Sequence, residues 1–302
     1  MGGWGRQAGV VKATEGTGGK RSGMVALVGR TNVGKSTLLN ALVGRKVTIV
    51  TSKPQTTRHA IQGVVEGPRG QMVLVDTPGF FRTDRSALVD RLHARAREVL
   101  EGIDVVVHVV DPTRPVGEEE GMVGEVLAGV SVARVLCLNK RDHPERPHRK
   151  AWLDRASGYV SVVEVSALRK EGLEALLDVI WDLLPEGEPM YGPEEFTNAS
   201  REFRITEAIR ERIYDLTEEE VPYRTAVRLD TMETVETPSG RERLRLQATI
   251  LVAEERYKAM VIGAGGRMVR EIRLGARLEL ERLMNCRVEL ELRVKVDRSA
   301  VD

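Results

Sequence analysis

The chain has 302 residues, with 46 Lys and Arg against 45 Asp and Glu and a formal net charge of +1. That length allows two domains with a sizeable core, and the near-neutral balance gives no global sign of a polyanionic partner. Two cysteines, Cys137 and Cys286, exclude a disulfide framework and a cysteine-ligated metal site. A reducing compartment is the simple reading, and no apolar run reaches the ~20 residues of a membrane span.

Residues 1–22 are rich in Gly, Lys, Arg, Thr and Ser and lack an apolar h-region, so they read as a flexible tail, not a signal peptide. From Gly23 to Pro185 strands alternate with helices, the pattern of a parallel sheet covered on both faces. The first expected strand, Met24 to Val28, runs into G-R-T-N-V-G-K-S at Gly29–Ser36, and a helical run from Thr37 follows. Strand, glycine loop and helix in that order form a phosphate-binding loop. Backbone N–H groups of Gly29, Arg30, Thr31, Asn32, Val33 and Gly34, and the positive end of the helix at Lys35, Ser36 and Thr37, cradle a polyphosphate. Lys35 adds a point charge to the outer phosphates, and Ser36 offers a hydroxyl to Mg²⁺.

A polar loop follows with Thr56 and Thr57, and Thr57 is expected as a second hydroxyl ligand for the metal. Val64 to Glu66, the turn Gly67–Gly70 and Gln71 to Val75 read as one hairpin. It ends in Asp76-Thr77-Pro78-Gly79, where Asp76 can hold Mg²⁺ through water and the Gly79 N–H can meet a γ-phosphate. Val105 to Val110 is a buried central strand, and His108 within it reads as a core residue, not a ligand. The apolar run Val135 to Leu138 leads into Asn139-Lys140-Arg141-Asp142. A carboxylate there accepts hydrogen bonds from N1–H and the 2-amino group of guanine, and a site so built rejects adenine by ~10⁴-fold or more. Ser166-Ala167-Leu168, after the strand Val160 to Val165, suits a loop touching the base from the other side. Leu173, Leu176, Leu177, Ile180, Trp181 and Leu184 form a helical core stripe ending at Pro185.

Glu186 to Phe196, with Pro189, Gly192 and Pro193, reads as a linker. Beyond it the order is α-β-β-α-α-β: a helix over Phe203–Tyr214, strands Thr225–Glu236 and Arg243–Val252 joined by Thr237-Pro238-Ser239-Gly240, a helix over Glu254–Val261, a longer helix, and a final strand. That strand alternates Val288, Leu290, Leu292, Val294, Val296 against charged residues. Between the last two helices lies Gly263-Ala264-Gly265-Gly266, the G-x-x-G loop of a KH domain, which clamps about four nucleotides along their backbone. From Glu186 onward 20 Lys and Arg face 24 Asp and Glu, which argues against RNA. Around the loop the sign reverses, with Arg256, Lys258, Arg267, Arg270, Arg273 and Arg277 flanking it, and RNA contact is the expected role.

These motifs in this order are similar to the translation-factor class of GTPases. Ser22-Gly23, G-R-x-N-V-G-K-S-T-L-L-N-A-L, Gln55-Thr56-Thr57-Arg58-His59, Asp76-Thr77-Pro78-Gly79 and Val221-Pro222-Tyr223 together resemble the Era GTPase family. The resemblance implies an α/β P-loop GTPase domain, with a mostly parallel six-stranded sheet, over residues 23–185, a linker over 186–196, and an α+β type II KH domain over 197–302. It implies a cytoplasmic GTPase that uses Mg²⁺, cycles between GTP and GDP, and binds small-subunit (16S) ribosomal RNA during small ribosomal subunit assembly. A monomer and a peripheral contact with the cytoplasmic membrane face are further expectations of the resemblance. Phe80 stands where related GTPases carry a water-orienting glutamine, so slow intrinsic hydrolysis is expected. In relatives lacking that glutamine an asparagine at the position of Asn32 helps hold K⁺, so Lys35, Asn32 and Thr57 form the expected catalytic set. The competing reading is an RNA-binding assembly factor in which GTP is a structural cofactor.

Overall fold

The computed structural model describes residues 19–50, 61–77, 101–236 and 242–300. Its larger sheet contains β1 (Arg21–Val28), β2 (Ile61–Gly67), β3 (Gly70–Asp76), β4 (Val105–Val110), β5 (Ala133–Leu138) and β6 (Ser161–Glu164). The strand order is β2-β3-β1-β4-β5-β6, parallel throughout except for β2, which returns antiparallel to β3. Every residue of β3 and β4 is buried. These strands are near-continuous apolar runs because helices cover both faces of the sheet. Successive residues of β1 serve opposite faces. Val25 and Leu27 pack with Leu38 and Leu39 of α1 (Lys35–Val43) and with Leu176 and Ile180 of α4 (Leu173–Leu183). Ala26 and Val28 pack with Val123 and Leu127 of α2 (Glu118–Ala128). The short α3 (Arg149–Leu153) seats Trp152 against Leu136 and Leu138.

β1 starts three residues before its apolar run, because Arg21 pairs with Gly70 and its N–H donates to Arg69 O at 2.9 Å. β6 is shorter than its apolar run; it is an edge strand, and Val160 is 59% exposed. The periodicity does not single out α2, whose pattern is interrupted by Gly121 and Gly124. His108 is buried as a core residue, its Nδ1 2.6 Å from Tyr159 Oη. Burial pushes the Cys137 thiol up to about 12, so it packs as an inert apolar group.

The second unit comprises α5 (Arg201–Leu216), β7 (Thr225–Glu236), β8 (Glu242–Val252), α6 (Glu255–Ile262), α7 (Arg267–Met284) and β9 (Arg287–Val296). Its sheet order is β7-β8-β9, antiparallel between the first pair and parallel between the second. Ser200 caps α5 by accepting from Phe203 N–H at 3.1 Å. Ile205, Ile209 and Ile213 of α5 and Ile272, Ala276 and Leu280 of α7 close over Leu244, Leu246, Ala248 and Ile250 of β8.

The connection between the units is strapped to the first sheet. Buried Gln71 accepts from Met190 N–H (2.7 Å) and Tyr191 N–H (2.9 Å) and donates to Tyr191 O (2.8 Å). Val64 N–H donates to Phe196 O at 2.9 Å. A second tie joins the units directly. Lys46, just beyond α1, reaches Glu211 of α5 (2.5 Å) and Glu279 of α7 (2.8 Å), and Val50 N–H donates to Glu211 at 3.1 Å.

Candidate nucleotide site and nucleic-acid interface

The loops that follow β1, β3, β5 and β6 gather at the carboxyl edge of the sheet. β1 sits where the strand order reverses, with β3 on one side and β4 on the other. Ligands of open α/β sheets bind at such a crevice. Gly34 adopts φ 98°, and a Cβ there would lie 2.3 Å from Asn139 Nδ2, so no other residue fits. Lys35 folds back so that Nζ donates to Gly29 O (3.0 Å) and Arg30 O (2.9 Å). Burial lowers its ammonium to about 8, while the charges of Asp76 and Glu120 pull it back up. A phosphate in the loop supplies the counter-charge that this burial withholds.

Ser36 Oγ donates to Asp76 Oδ2 at 2.6 Å, and Asp76 at the end of β3 is wholly buried. Thr77 Oγ1 ties the same turn to β1 by donating to Leu27 O at 2.8 Å. A hydroxyl and a carboxylate side by side are hard oxygen donors of the kind Mg²⁺ takes, completed by water and phosphate oxygens. The residues present therefore fit that ion.

The base-side loops form a connected set. Asn139 Nδ2 donates to Val33 O (2.9 Å), and its Oδ1 accepts from Ala167 N–H (3.0 Å). One buried amide thus fastens the phosphate loop to the Ser166–Leu168 loop. Lys140, at φ 60°, meets Asp111 at the end of β4 at 2.5 Å. Burial raises the Asp111 carboxyl, but Lys140 and Thr113 outweigh it and hold it below its ordinary value. Asp142 accepts from Ser166 Oγ at 2.6 Å, and this bond holds its carboxyl below the usual range. At neutral pH Asp142 is an ionised acceptor, and Leu168, two residues after its partner Ser166, is 76% exposed.

Arg30, expected in the phosphate loop through its backbone N–H, turns its guanidinium to α2, where Nε meets Glu120 at 2.9 Å with both side chains buried. A buried guanidinium needs a carboxylate, so Arg30 serves the loop through its main chain. Glu120 is a partner the sequence reading missed, since Glu118-Glu119-Glu120 looks like a solvated helix start. Thr57, Pro78, Gly79 and the neighbouring Arg58 and Phe80 lie outside the described residues.

In the second unit Gly263, Gly265 and Gly266 take φ of 70°, 58° and 74°, and Ala264 and Gly265 are exposed. Gly266 opens α7. Beside it a groove of about 390 Å³ runs between Arg270 and Arg273 of α7 and Glu291, Leu292 and Arg293 of β9. The β9 residues escaped the sequence reading because alternation there signals only a strand. The flanking charges are not equivalent. Arg256 pairs with Glu254 at 2.9 Å and lies over the Tyr257 ring, and Lys258 approaches Glu255 at 3.4 Å. Arg267 and Arg270 are exposed and form no ion pair among the described residues.

A family described as 50S ribosome-binding GTPase matches residues 24–140, and the KH domain family matches residues 220–300. GTPase Era of Xanthomonas oryzae pv. oryzae (strain MAFF 311018) is 42% identical over 280 residues, covering 91% of this chain and 92% of that protein. GTPase Era of Stenotrophomonas maltophilia (strain K279a) is 41% identical over 278 residues, 91% of each. A crystal structure of Era in complex with MgGDPNP and nucleotides 1506–1542 of 16S ribosomal RNA is similar at TM-score 0.82 and 32% identity, covering 92% of this chain and 94% of that one. An Aquifex aeolicus Era variant bound to GDP and AlF4⁻ matches with the same TM-score, identity and coverage. With both chains covered nearly end to end at this identity, the chain belongs to the Era GTPase family.

Proposed function

We infer that this chain is a GTP-hydrolysing switch that binds small-subunit (16S) ribosomal RNA through its KH domain and acts in small ribosomal subunit assembly. The observation that carries this reading is the likeness, along nearly the whole chain, to an Era structure holding both MgGDPNP and a 16S fragment. Loop N–H groups and Lys35 take the phosphates. Ser36 and Asp76 would hold Mg²⁺, which when bound neutralises charge developing on the β/γ oxygens. Thr57 and Gly79 are the further expected contacts to metal and γ-phosphate. Asp142 reads guanine, with Ser166 fixing its carboxylate and Asn139 setting the distance between base loop and phosphate loop. Asn32, exposed at φ 62°, is proposed as a K⁺ ligand beside the β/γ-phosphates. Equal GTP turnover in Na⁺ and K⁺ at matched ionic strength removes that role.

The switch reading has a physical route between the units. Val50 immediately precedes residues 51–60, where Thr57 lies, and its N–H is held by Glu211 of α5. A change in that segment therefore bears on the helix that packs under the KH sheet. RNA affinity measured with a GTP analogue and with GDP tests the switch against the structural-cofactor reading. The switch requires a difference, and Glu211→Gln should shrink it severalfold, a coupling of about 1 kcal/mol. Identical affinities in the two nucleotide states favour the static cofactor.

The chain is proposed to act in the cytoplasm as a monomer. No helix among the described residues is long and apolar enough to cross a membrane. A peripheral membrane contact rests on the family resemblance alone, and co-sedimentation with anionic vesicles tests it.

A further inference from the structure

Arg30, Glu120 and His108 are buried ionisable side chains whose charges the nucleotide chemistry above does not use. Arg30 is the second residue of the phosphate loop, yet its guanidinium crosses to α2. There Nε stands 2.9 Å from Glu120 Oε1, and Nη1 donates to Pro115 O at 3.4 Å. The other carboxylate oxygen, Oε2, is 3.7 Å from His108 Nε2. Tyr159 Oη, 2.6 Å from Nδ1, and the edge of the Trp152 ring fix the imidazole in that direction. Glu118, in the same helical turn, is exposed, so the burial of Glu120 follows from its partners and not from the helix start. The root of the arginine is equally fixed. Arg30 O accepts from Lys35 Nζ at 2.9 Å, and a Cβ on Gly29 would lie 2.3 Å from Val109 O of β4.

An arginine rooted in this loop is long enough to turn toward a phosphate held by the loop's N–H groups, and guanidinium forks match phosphate oxygens. Glu120 therefore competes with the nucleotide for Arg30. Burial makes the competition strong, because neither charge leaves water cheaply unless the other answers it. The same carboxylate is felt in the loop: burial lowers the Lys35 ammonium, and Asp76 and then Glu120 draw it back up. We propose that Glu120 is a positioning residue of the nucleotide site that acts through Arg30. It holds the guanidinium on α2 and cancels its charge, and so limits how steeply affinity rises from a nucleoside monophosphate to a triphosphate. The proposal rests on the reading of Gly29–Thr37 as the phosphate loop.

Glu120→Gln is the test, because it removes the charge and keeps the shape of the side chain. Affinities of the full chain for GMP, GDP and a GTP analogue are measured by titration at fixed Mg²⁺. The GTP analogue should bind about tenfold tighter than to the parent, GDP about threefold tighter and GMP scarcely differently, as one uncancelled charge near the outer phosphates requires. Glu120→Asp keeps the charge and should keep the parental ladder. Arg30→Gln added to Glu120→Gln removes the freed cation and should abolish the gain. The unliganded Glu120→Gln protein should also melt lower, since a buried guanidinium has lost its partner. Where it is too unstable to titrate, urea midpoints at equal concentrations of each nucleotide read the same ladder, because ligand stabilisation follows the ratio of concentration to Kd. A pair that only holds the fold together lowers stability and shifts all three affinities by one factor, and that result overturns the proposal. An unchanged ladder, a triphosphate weakened more than the monophosphate, or a gain that survives in the double variant overturns it as well. Failure of the unsubstituted protein to bind any of the three nucleotides sinks the phosphate-loop reading itself.

Discussion

The nucleotide site and the glycine loop solve opposite problems. At the nucleotide site the key side chains are partnered within the protein: Ser36 with Asp76, Lys140 with Asp111, Asp142 with Ser166, and Asn139 with two loops. Geometry is set before any ligand arrives, and a substitution at Ser36, Lys140 or Asp142 leaves behind a buried polar partner, Asp76, Asp111 or Ser166. At the glycine loop the contacts are exposed and Arg267 and Arg270 carry no partner among the described residues. Affinity there is spread over many screened charges. Changes at the first site should therefore be large and specific, and changes at the second graded and salt-dependent.

The sharpest test of that contrast is Asp142→Asn. It exchanges an acceptor for a donor, so GTP should be lost by about 3 kcal/mol or more while a xanthine nucleotide gains. Titration calorimetry with both nucleotides reads this directly, and undiminished GTP binding would remove Asp142 from base reading.

Gly266→Asp comes next. A Cβ there meets nothing within 4 Å, so close packing is not what an added side chain disturbs. The same change at Gly263 would bring a Cβ within 2.7 Å of Met268 Cβ. Gly263 is thus fixed by packing as well as by its backbone, whereas Gly266 is constrained only by its left-handed φ of 74°, which Asp tolerates better than most residues, and a carboxylate there opposes RNA phosphate. RNA affinity should fall about a hundredfold, or ~2.7 kcal/mol, with GTP binding retained. Fluorescence anisotropy with labelled RNA, after thermal melting shows a folded variant, decides it.

Asn139→Ala should cost about 1–3 kcal/mol of stability, because Val33 O and Ala167 N–H lose their buried partner, and should weaken GTP as the two loops part. Urea unfolding and nucleotide titration should move together. If GTP affinity falls without loss of stability, Asn139 acts only on the ligand and is not the clasp between loops.

The smallest effect belongs to a three-residue ion cluster, Glu164 with Arg146 and Arg149. Bonds from Arg149, and then from Arg146, hold the Glu164 carboxyl below its ordinary value. Its stabilisation is present above the unfolded pKa near 4.5 and is lost as pH falls through the lower folded value. Glu164→Gln should cost under about 1 kcal/mol at pH 7 and less as pH drops below 4.5. Melting curves across that range check the sign.

The sequence by itself determined the alternation of strands and helices in the first unit and the α-β-β-α-α-β order of the second, the apolar strands β3, β4 and β5, and the loops that gather at the sheet edge; it did not mark α2 or α3. Those features depend on local patterns: alternation, helical stripes, and glycines at fixed spacing beside charged residues. Lys35, Asp76, Asn139 and Asp142 were legible because phosphate, metal and guanine chemistry need those groups at those strand ends. Only the tertiary structure decided that Arg30 turns to Glu120, that Gln71 straps the connection down, and that Arg45 and Arg204 meet over Phe196. Each joins residues distant in sequence, through a buried charge, a buried amide or a shared ring. No local periodicity encodes such a pairing, because the energy that selects it arises only when separate elements exclude water together.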